Sequence, residues 1–430
     1  MNQLILKFAD RIYQYIFGYP MGERASTFFK NLGLLTFGSL VAGALSLGGV
    51  ILAGRVLGPE EYGKASLVFS LANFFIIPMS FGLNVAVMYY LNNDRYDTRT
   101  TLTTSFYALF LFTAVSAVLL YLTKEFFAPL MRIDISLFSL TIVFAILLSF
   151  SNVFQSVLNG LHRYKENAIL AMISGVIFVI GVIWIFGVWG TGNYTAFVTA
   201  SMVRLFLVVV PIAFLVRKFV SPLPSWHAFP PMIQFSIVST LALAPNFLFF
   251  DLNRVVINYF FGAKLVGIFA AYTTIAIFVA GRGVGIFLNV FYPMSSRFRD
   301  KRHVFIKISH FLPRFSLVLI FFFSFLTYMA MILFGTQYPR NIVFILLTSF
   351  ATVTFIIASI YSWFLASLDP PPYLFMVLNA CIALGINLAV FLLLGLRGNL
   401  YGIFLGPFFA YLYQIISSHY YVLRKYAPAH

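Results

Sequence analysis

The chain has 430 residues, of which 61% are hydrophobic and 9% are charged, and its mean hydropathy is +0.94. A soluble protein carries about 25% charged residues, so this composition excludes a water-soluble enzyme and indicates a polytopic membrane protein built from α-helices. The net charge is +16. In a membrane protein the distribution of the excess Lys and Arg first of all indicates which loops face the cytoplasm. The single cysteine, Cys381, excludes an internal disulfide and a cysteine-based zinc site.

An N-terminal segment precedes the first apolar span. Residues 1–25 contain no uninterrupted apolar stretch of the length that a signal peptide needs. Leu4, Phe8 and Ile12 fall at helical spacing with Lys7 between them, a pattern typical of a helix that lies in the membrane interface. A frayed cytoplasmic tail is the alternative, and both stay open at this point.

Twelve apolar spans follow, each long enough to cross a hydrocarbon core of about 30 Å at about 1.5 Å per residue. An even number of spans places both termini on the same side of the membrane. With the N-terminus inside, the cytoplasmic segments hold 18 Lys and Arg, the outside loops 7 and the spans 3. This asymmetry predicts a multi-pass protein of the plasma (inner) membrane with both termini cytoplasmic. The predicted spans are 30–54, 64–90, 100–123, 135–159, 168–189, 192–216, 232–258, 265–291, 311–334, 341–366, 373–396 and 399–422.

A proline-rich stretch divides the chain into two halves. It carries Pro222, Pro224, Pro230 and Pro231, a density that prevents a continuous helix and predicts a cytoplasmic linker between two sets of six helices. The predicted domains are an N-terminal cytoplasmic or interfacial segment (1–29), an N-terminal half (30–218), the linker (219–231), a C-terminal half (232–425) and a tail (426–430).

Short motifs recur in the two halves in the same order. Residues 58–63 (GPEEYG) follow the first span and residues 262–267 (GAKLVG) follow the seventh, an offset of 204, while Gly-Asn pairs at 192–193 and 398–399 open the sixth and twelfth spans. Because each half holds an even number of spans, an internal duplication would relate the halves by an axis along the membrane normal. The predicted fold class is an all-α integral membrane protein of twelve transmembrane helices in two duplicated halves, an alternating-access transporter with its substrate between them.

The loop after the first span carries a family resemblance. Residues 51–63 (ILAGRVLGPEEYG) resemble the first-loop signature of polysaccharide exporters, the O-antigen and repeat-unit flippases of the multidrug/oligosaccharidyl-lipid/polysaccharide exporter superfamily. Residues 251–254 (DLNR) and 261–270 are similar to that family's seventh span and the loop after it. The resemblance implies that a polyprenyl-diphosphate-linked oligosaccharide moves from the inner to the outer leaflet, with membrane lipids and polysaccharide polymerase or ligase machinery as further partners. The loop residues that carry the resemblance are Gly58, Pro59, Tyr62 and Gly63.

Four charged residues lie well inside predicted spans: Arg204, Asp251, Arg254 and Arg282. Each costs about 2.5–3.5 kcal/mol on insertion scales at the bilayer centre, and such residues face the bundle interior or a wet cavity. Guanidinium groups suit phosphate oxygens, so the three arginines are the predicted site for a diphosphate in one chamber between the halves. The alternative for Arg282, which lies among glycines at 281, 283 and 285, is a bond to backbone carbonyls at a loosened helix.

Asp251 and Arg254 are three residues apart and share a helix face, which Asn258 continues. One interpretation is a self-neutralising pair that eases membrane insertion. The other is that Arg254 alternates between Asp251 and a substrate phosphate, and that Asp251 binds a coupling ion, H⁺ or Na⁺, because burial raises the affinity of a carboxylate for either. In-span amides are candidates for contacts with sugar hydroxyls or for hydrogen bonds between helices: Asn73 and Asn258, and also Asn84, Gln155, Asn159, Asn246 and Asn289.

Other classes of function find less support. The sequence has no P-loop, and its six histidines lack the spacing of metal ligands, so we expect no catalytic residues, no metal and no bound cofactor. Nucleic-acid binding is not expected of the short basic segment 297–307. The alternatives to a flippase are a cation-coupled multidrug exporter and a membrane-embedded glycan ligase or polymerase.

The topology is testable by thiol labelling. In a variant without Cys381, single cysteines at Glu61, Lys264 and Arg397 should react with an impermeant reagent from outside intact cells, because these positions lie in predicted outside loops. Cysteines at Arg163 and Arg299 should not react. Labelling at either of these two positions would overturn the orientation.

Overall fold

The structure is a computed structural model, which describes residues 23–92, 97–187, 192–221, 229–297, 301–368, 372–395 and 400–425; side chains are described from Leu40 onward, except at 238–239, 241–248, 250, 286–297, 301–304, 307–308, 310–311 and 314. The predicted interfacial segment up to residue 22, the linker residues 222–228, residues 396–399 of the second Gly-Asn repeat and the tail lie outside the described residues. The described chain is helical almost throughout. Its elements are α1 (Glu23–Ser80), α2 (Leu83–Leu91), α3 (Thr98–Leu122), α4 (Lys124–Leu130), α5 (Ile135–Gly160), α6 (Tyr164–Gly187), α7 (Tyr194–Val216), a 3₁₀ turn (Arg217–Phe219), α8 (Phe229–Phe261), α9 (Ala263–Arg297), α10 (Lys301–Phe334), α11 (Ile342–Ala366), α12 (Tyr373–Gly395) and α13 (Gly402–Lys425).

The long helices overlap the predicted spans, although α10 begins ten residues before its predicted span, and two breaks near the start of the chain were not predicted. The first predicted span and most of the second lie in the single long element α1, which Gly58 divides with φ of 74° and ψ of 172°. The second predicted span is also interrupted, by the left-handed residues Phe81 and Gly82 between α1 and α2. A hydropathy profile does not show either break, because both breaks depend on backbone conformation rather than on side-chain polarity.

Nine helices within the described ranges are long and apolar enough to cross a membrane, so the chain is a multi-pass membrane protein and the count of twelve spans stays a prediction. Cys381 lies in one of the nine, α12, and is exposed. The linker was expected to extend to residue 231, but α8 begins at Phe229 and takes Pro230 and Pro231 into its first turn. Proline is tolerated there because the first N–H groups of a helix have no partner within the helix.

The break at Gly58 follows from the residue types at that point. A positive φ is readily adopted only by glycine, and the next residue, Pro59, restarts the helix at a position where its missing N–H removes no hydrogen bond. Gly262, at the equivalent position of the second GxxxxG motif, also has a positive φ, of 81°, and separates α8 from α9. The two motifs therefore both begin at a glycine with positive φ.

The two helix starts that follow these turns cross each other in direct backbone contact. A methyl group built on Gly63 would lie 1.8 Å from the carbonyl oxygen of Ala263, and one built on Gly267 would lie 1.8 Å from the carbonyl oxygen of Pro59. The contact is reciprocal, and each glycine provides the space that a carbonyl of the other helix occupies. We call this contact the glycine crossing.

Aromatic residues surround the glycine crossing and close this end of the molecule. The Tyr62 ring lies 5.5 Å from that of Phe334 and 6.5 Å from that of Tyr338, between ring centroids. The Tyr338 hydroxyl donates a 2.7 Å hydrogen bond to the carbonyl of Gly54, and Gly54 has no room for a side chain because the Phe334 ring lies against it. We call Gly54, Tyr62, Phe334 and Tyr338 the closed end.

The glycine crossing predicts a strong effect of one methyl group. Gly63→Ala should destabilise the protein by at least the ~1–3 kcal/mol that overpacking costs, because the colliding atom is a backbone oxygen that cannot rotate away. Gly48→Ala is the matched control in the same helix, where a methyl group meets nothing within 4 Å. Thermal unfolding of the purified protein in detergent measures both, and equal melting temperatures for the two variants would contradict the described contact.

Candidate functional site

Glu61 of the first GxxxxG motif (residues 58–63) stabilises the start of another helix. The Glu61 carboxylate accepts a 2.8 Å hydrogen bond from the backbone N–H of Tyr194, at the start of α7, and forms a 2.7 Å ion pair with Lys64. A carboxylate at a helix N-terminus satisfies an N–H that has no partner in the helix and interacts favourably with the helix dipole. The motif thus joins α1 to α7, and through Gly63 to α9.

Asp251 forms hydrogen bonds between the two predicted halves. Its carboxylate accepts 2.9 Å bonds from Ser70 Oγ and Asn73 Nδ2 on α1, and Arg254 Nη1 lies 3.4 Å from the same carboxylate. The Arg254 guanidinium also donates to Ser70 Oγ at 3.2 Å, while its fully buried Nε has no partner among the described residues. The expected pairing of Asp251 with Arg254 is present, and Asn73 lies at the contact between α1 and α8.

Asn258, one turn beyond Arg254, also forms hydrogen bonds between helices. Its Nδ2 donates to the carbonyls of Met131 and Arg132 at 3.2 and 3.1 Å. Arg132 Nη1 in turn donates a 3.0 Å hydrogen bond to the carbonyl of Tyr259, and its guanidinium carbon lies 4.4 Å from the centre of the Tyr259 ring. The amide N–H₂ of Asn258 is therefore occupied by the backbone of the N-terminal half.

A cavity of about 320 Å³ lies among α1, α5, α6, α7 and α9. Arg204 of α7 and Arg282 of α9 both line it. The rest of the wall consists of small and apolar residues together with six neutral polar side chains, those of Ser46, Ser151, Gln155, Asn167, Ser174 and Thr274. None of the described residues that line the cavity is acidic. The cavity reaches the closed end at Thr274, whose hydroxyl lies 3.3 Å from the Tyr62 hydroxyl.

The two cavity arginines have aromatic neighbours and no carboxylate partner. The Arg204 guanidinium carbon lies 5.4 Å from the centre of the Phe178 ring, and that of Arg282 lies 5.3 Å from the centre of the Phe278 ring. Within the described ranges no acidic group forms an ion pair with either arginine. A cation over a ring face gains about 0.5–2 kcal/mol, and the N–H donors of both groups stay available to an anion.

The structure therefore separates residues that the sequence placed in one chamber. Arg204 and Arg282 lie in one cavity, whereas Arg254 is absent from the cavity wall and is paired with Asp251 at the contact between α1 and α8. No described residue of α8 lines the cavity, and Asp251, three residues before Arg254 on that helix, provides its counter-ion. The roles of all four charges in transport stay predictions.

Sequence patterns did not single out most of the neutral polar wall. Ser174 stands alone among apolar residues of α6, Asn167 follows Lys165 and Glu166 in the polar first turn of α6, and Thr274 follows Thr273 on α9. No hydropathy signal distinguishes such a residue from one that joins two helices. Among the described residues no group of three His, Cys, Asp or Glu side chains is placed to hold a metal ion.

Comparison with known sequences gives one family. A family model described as "Polysaccharide biosynthesis protein" matches residues 28–299, more than half of the chain. No curated protein matches the chain.

Comparison with solved structures gives one fold at low sequence identity. A multidrug resistance MATE family transporter of the MOP superfamily, in an inward-facing conformation, aligns with a TM-score of 0.66 and 15% identity over 91% of this chain and 96% of that one. The outward-facing conformation of such a transporter aligns with a TM-score of 0.58 and 15% identity over 92% and 96%. A MOP superfamily transporter from Pyrococcus furiosus, whose pocket is described as having reverse polarity, aligns with a TM-score of 0.57 and 16% identity over 91% and 95%.

The Asp251 network predicts a compensating double variant. Asp251→Asn should destabilise the protein by about 3–5 kcal/mol, the range for breaking a buried ion pair, because Arg254 keeps its charge without a counter-ion. Adding Arg254→Gln should recover part of the loss, since no unpaired charge then remains. Thermal unfolding and the yield from membranes measure both effects. If Asp251→Asn unfolds like the wild type, the pair is not a structural element, and loss of transport in that variant would assign the carboxylate to ion coupling or switching.

Proposed function

Because the chain belongs to the family of polysaccharide biosynthesis proteins, we propose that it is a flippase that moves a polyprenyl-diphosphate-linked oligosaccharide from the inner to the outer leaflet. The family match confirms the resemblance of residues 51–63 to polysaccharide exporters. The fold is that of MOP superfamily transporters, which suits transport by alternating access.

The observation that carries the proposal is the charge of the cavity. Two arginines without acidic partners line it, one from each predicted half, and the remaining polar groups are neutral. A diphosphate that leaves water needs compensating cations, and guanidinium groups provide paired N–H donors for its oxygens. A contribution from each half would allow the bound headgroup to hold the halves together until the opposite side opens.

The proposed architecture is twelve spans in two duplicated six-helix halves, residues 30–218 and 232–425, with both termini cytoplasmic. The positive φ values of Gly58 and Gly262 and the reciprocal glycine crossing support the duplication, since both halves place a glycine with positive φ at the start of the corresponding motif. In this orientation the closed end faces outward and the cavity lies on its cytoplasmic side. Opening to the outside then requires separation of Gly63 from Ala263 and of Tyr338 from Gly54.

Asp251 is the proposed coupling residue, with H⁺ or Na⁺ as the ion. Its carboxylate holds α8 to Ser70 and Asn73 of α1 by two hydrogen bonds. Protonation or cation binding at this carboxylate would weaken its interaction with Arg254 and with α1, which links ion binding to the contact between the halves. No further cofactor is proposed, and a polysaccharide polymerase or ligase is the expected partner downstream.

A cation-coupled multidrug exporter is the alternative transport function. Its support is the fold shared with MATE family transporters, and the cavity charge speaks against it, because a wall with two arginines and no carboxylate repels cationic ligands. A membrane-embedded glycan ligase or polymerase is the alternative of another class. It would need an acceptor site outside the membrane, for which the short loops offer little surface.

The cavity arginines provide the test of the flippase function. In a deletion strain complemented with Arg204→Ala or Arg282→Ala, export of the glycan should fall about ten- to hundred-fold for each, the loss expected for hydrogen bonds to charged groups. Lysine at either position keeps the charge but loses the forked donor and should retain part of the export. The measurements are surface polysaccharide and lipid-linked oligosaccharide retained on the cytoplasmic leaflet.

Arg163→Ala is the control, because Arg163 pairs with Glu166 at a helix end outside the cavity. Normal export by the Arg204→Ala/Arg282→Ala double variant would refute the proposed site. If the deletion strain has an unchanged surface glycan and a raised sensitivity to cationic drugs, the protein is a multidrug exporter rather than a flippase. Exported repeat units that remain unpolymerised or unligated would favour a membrane-embedded glycan polymerase or ligase.

A further inference from the structure

Two amide side chains of the cavity wall complement the two arginines. Gln155 lies near the end of α5 and Asn167 near the start of α6, so they flank the same helix–helix turn, and both line the cavity. Asn167 is 7% exposed. Polar side chains at this depth are retained where they have partners, either in the protein or in a ligand.

The NH₂ group of each amide donates one hydrogen bond within the protein. Gln155 Nε2 donates to Ser151 Oγ at 3.0 Å, and Asn167 Nδ2 donates to Asn159 Oδ1 at 2.8 Å. Neither amide oxygen accepts a hydrogen bond from a described residue, and neither is among the fully buried polar atoms without a partner. Both oxygens are therefore accessible, and the space beside them is the cavity.

The cavity thus presents two kinds of group to a ligand. The guanidinium groups of Arg204 and Arg282 only donate hydrogen bonds, whereas the two amide oxygens only accept them. A bare diphosphate would satisfy the arginines and leave the amide oxygens unpaired. A ligand that carries hydroxyl or amide N–H groups next to its phosphates would satisfy both sets.

We propose that Gln155 and Asn167 bind the sugar attached directly to the diphosphate and make the transporter selective for glycosylated over bare polyprenyl diphosphate. The inference rests on the proposed flippase function and names the part of the substrate that the cavity recognises. The volume of about 320 Å³ is at the small end of the ~300–1,000 Å³ range of ligand sites. It suits one diphosphate with one sugar, and the remaining sugars would extend beyond it.

The alternative role of Asn167 is to hold α5 and α6 together through Asn159. The chain offers a matched control for this alternative, because Asn159→Ala breaks the same hydrogen bond from the other side, and Asn159 does not line the cavity. A structural role predicts equal effects of Asn159→Ala and Asn167→Ala. A binding role predicts that only Asn167→Ala changes selectivity.

The experiment compares two probes on the purified protein in detergent: farnesyl diphosphate, and the same lipid diphosphate carrying one N-acetylglucosamine. The wild type should bind the glycosylated probe about tenfold more tightly, as expected for one to two added hydrogen bonds. Gln155→Met and Asn167→Ala should each reduce this ratio about three- to tenfold and leave the affinity for farnesyl diphosphate unchanged. The unchanged affinity shows that the variants are folded. Asn159→Ala should keep the wild-type ratio.

Arg204→Ala separates the failure of this inference from that of the proposed function. It should weaken binding of both probes equally, since both carry the diphosphate. If both probes bind through Arg204 but the ratio is unaffected by Gln155→Met and Asn167→Ala, or is changed as much by Asn159→Ala, the sugar assignment is wrong and the diphosphate site stands. If Arg204→Ala has no effect, or if the wild type binds neither probe, the diphosphate site and the sugar assignment both fail.

Discussion

The close approach of two helix starts at Gly63 and Gly267 is the constraint on which the rest of the structure depends. Each glycine accepts a backbone carbonyl of the other helix where a side chain would otherwise be. This contact is possible only because Gly58 and Gly262 turn the chain with positive φ immediately before it. It brings α1 against α9, and thereby places Arg282 of α9 across the cavity wall from the helices of the first half. The motif at residues 58–63, which resembles the family's first-loop signature, therefore serves to pack α1 against α9.

The cavity below the closed end is chemically unlike the rest of the interior. Most helix contacts of the described chain are apolar, while this wall combines two guanidinium groups, two amides and four hydroxyl groups. Charges at such depth are costly, and neither arginine has the carboxylate that would offset the cost within the described protein. A cost of this kind is expected at a site whose partner arrives from outside, and an anionic headgroup is the partner that guanidinium groups favour.

The Asp251 network is a second charged site with a different role in the structure. Its arginine is neutralised locally and its carboxylate is bonded to Ser70 and Asn73 of α1. One site therefore has guanidinium groups without a counter-ion, and at the other the guanidinium has its counter-ion at the contact between α1 and α8. This division suits a transporter in which ligand binding and helix separation occur at different places, linked by α1, which packs against both α6 and α9.

Composition and apolar run length were sufficient to predict a multi-pass helical membrane protein, because burial in lipid requires about twenty apolar residues for each crossing helix. The i,i+3 spacing of Asp251 and Arg254 also predicted their pairing, since that contact is local. The sequence did not reveal that Arg254 is absent from the cavity wall that Arg204 and Arg282 share, or that Gln155 and Asn167 are the amides that line it. Those relations join residues far apart in the chain, and they depend on how the helices cross at Gly63 and Gly267. The residue types alone determined that the chain lies in a membrane and that residues close in sequence, such as Asp251 and Arg254, pair. The tertiary structure decided which polar side chains share a cavity.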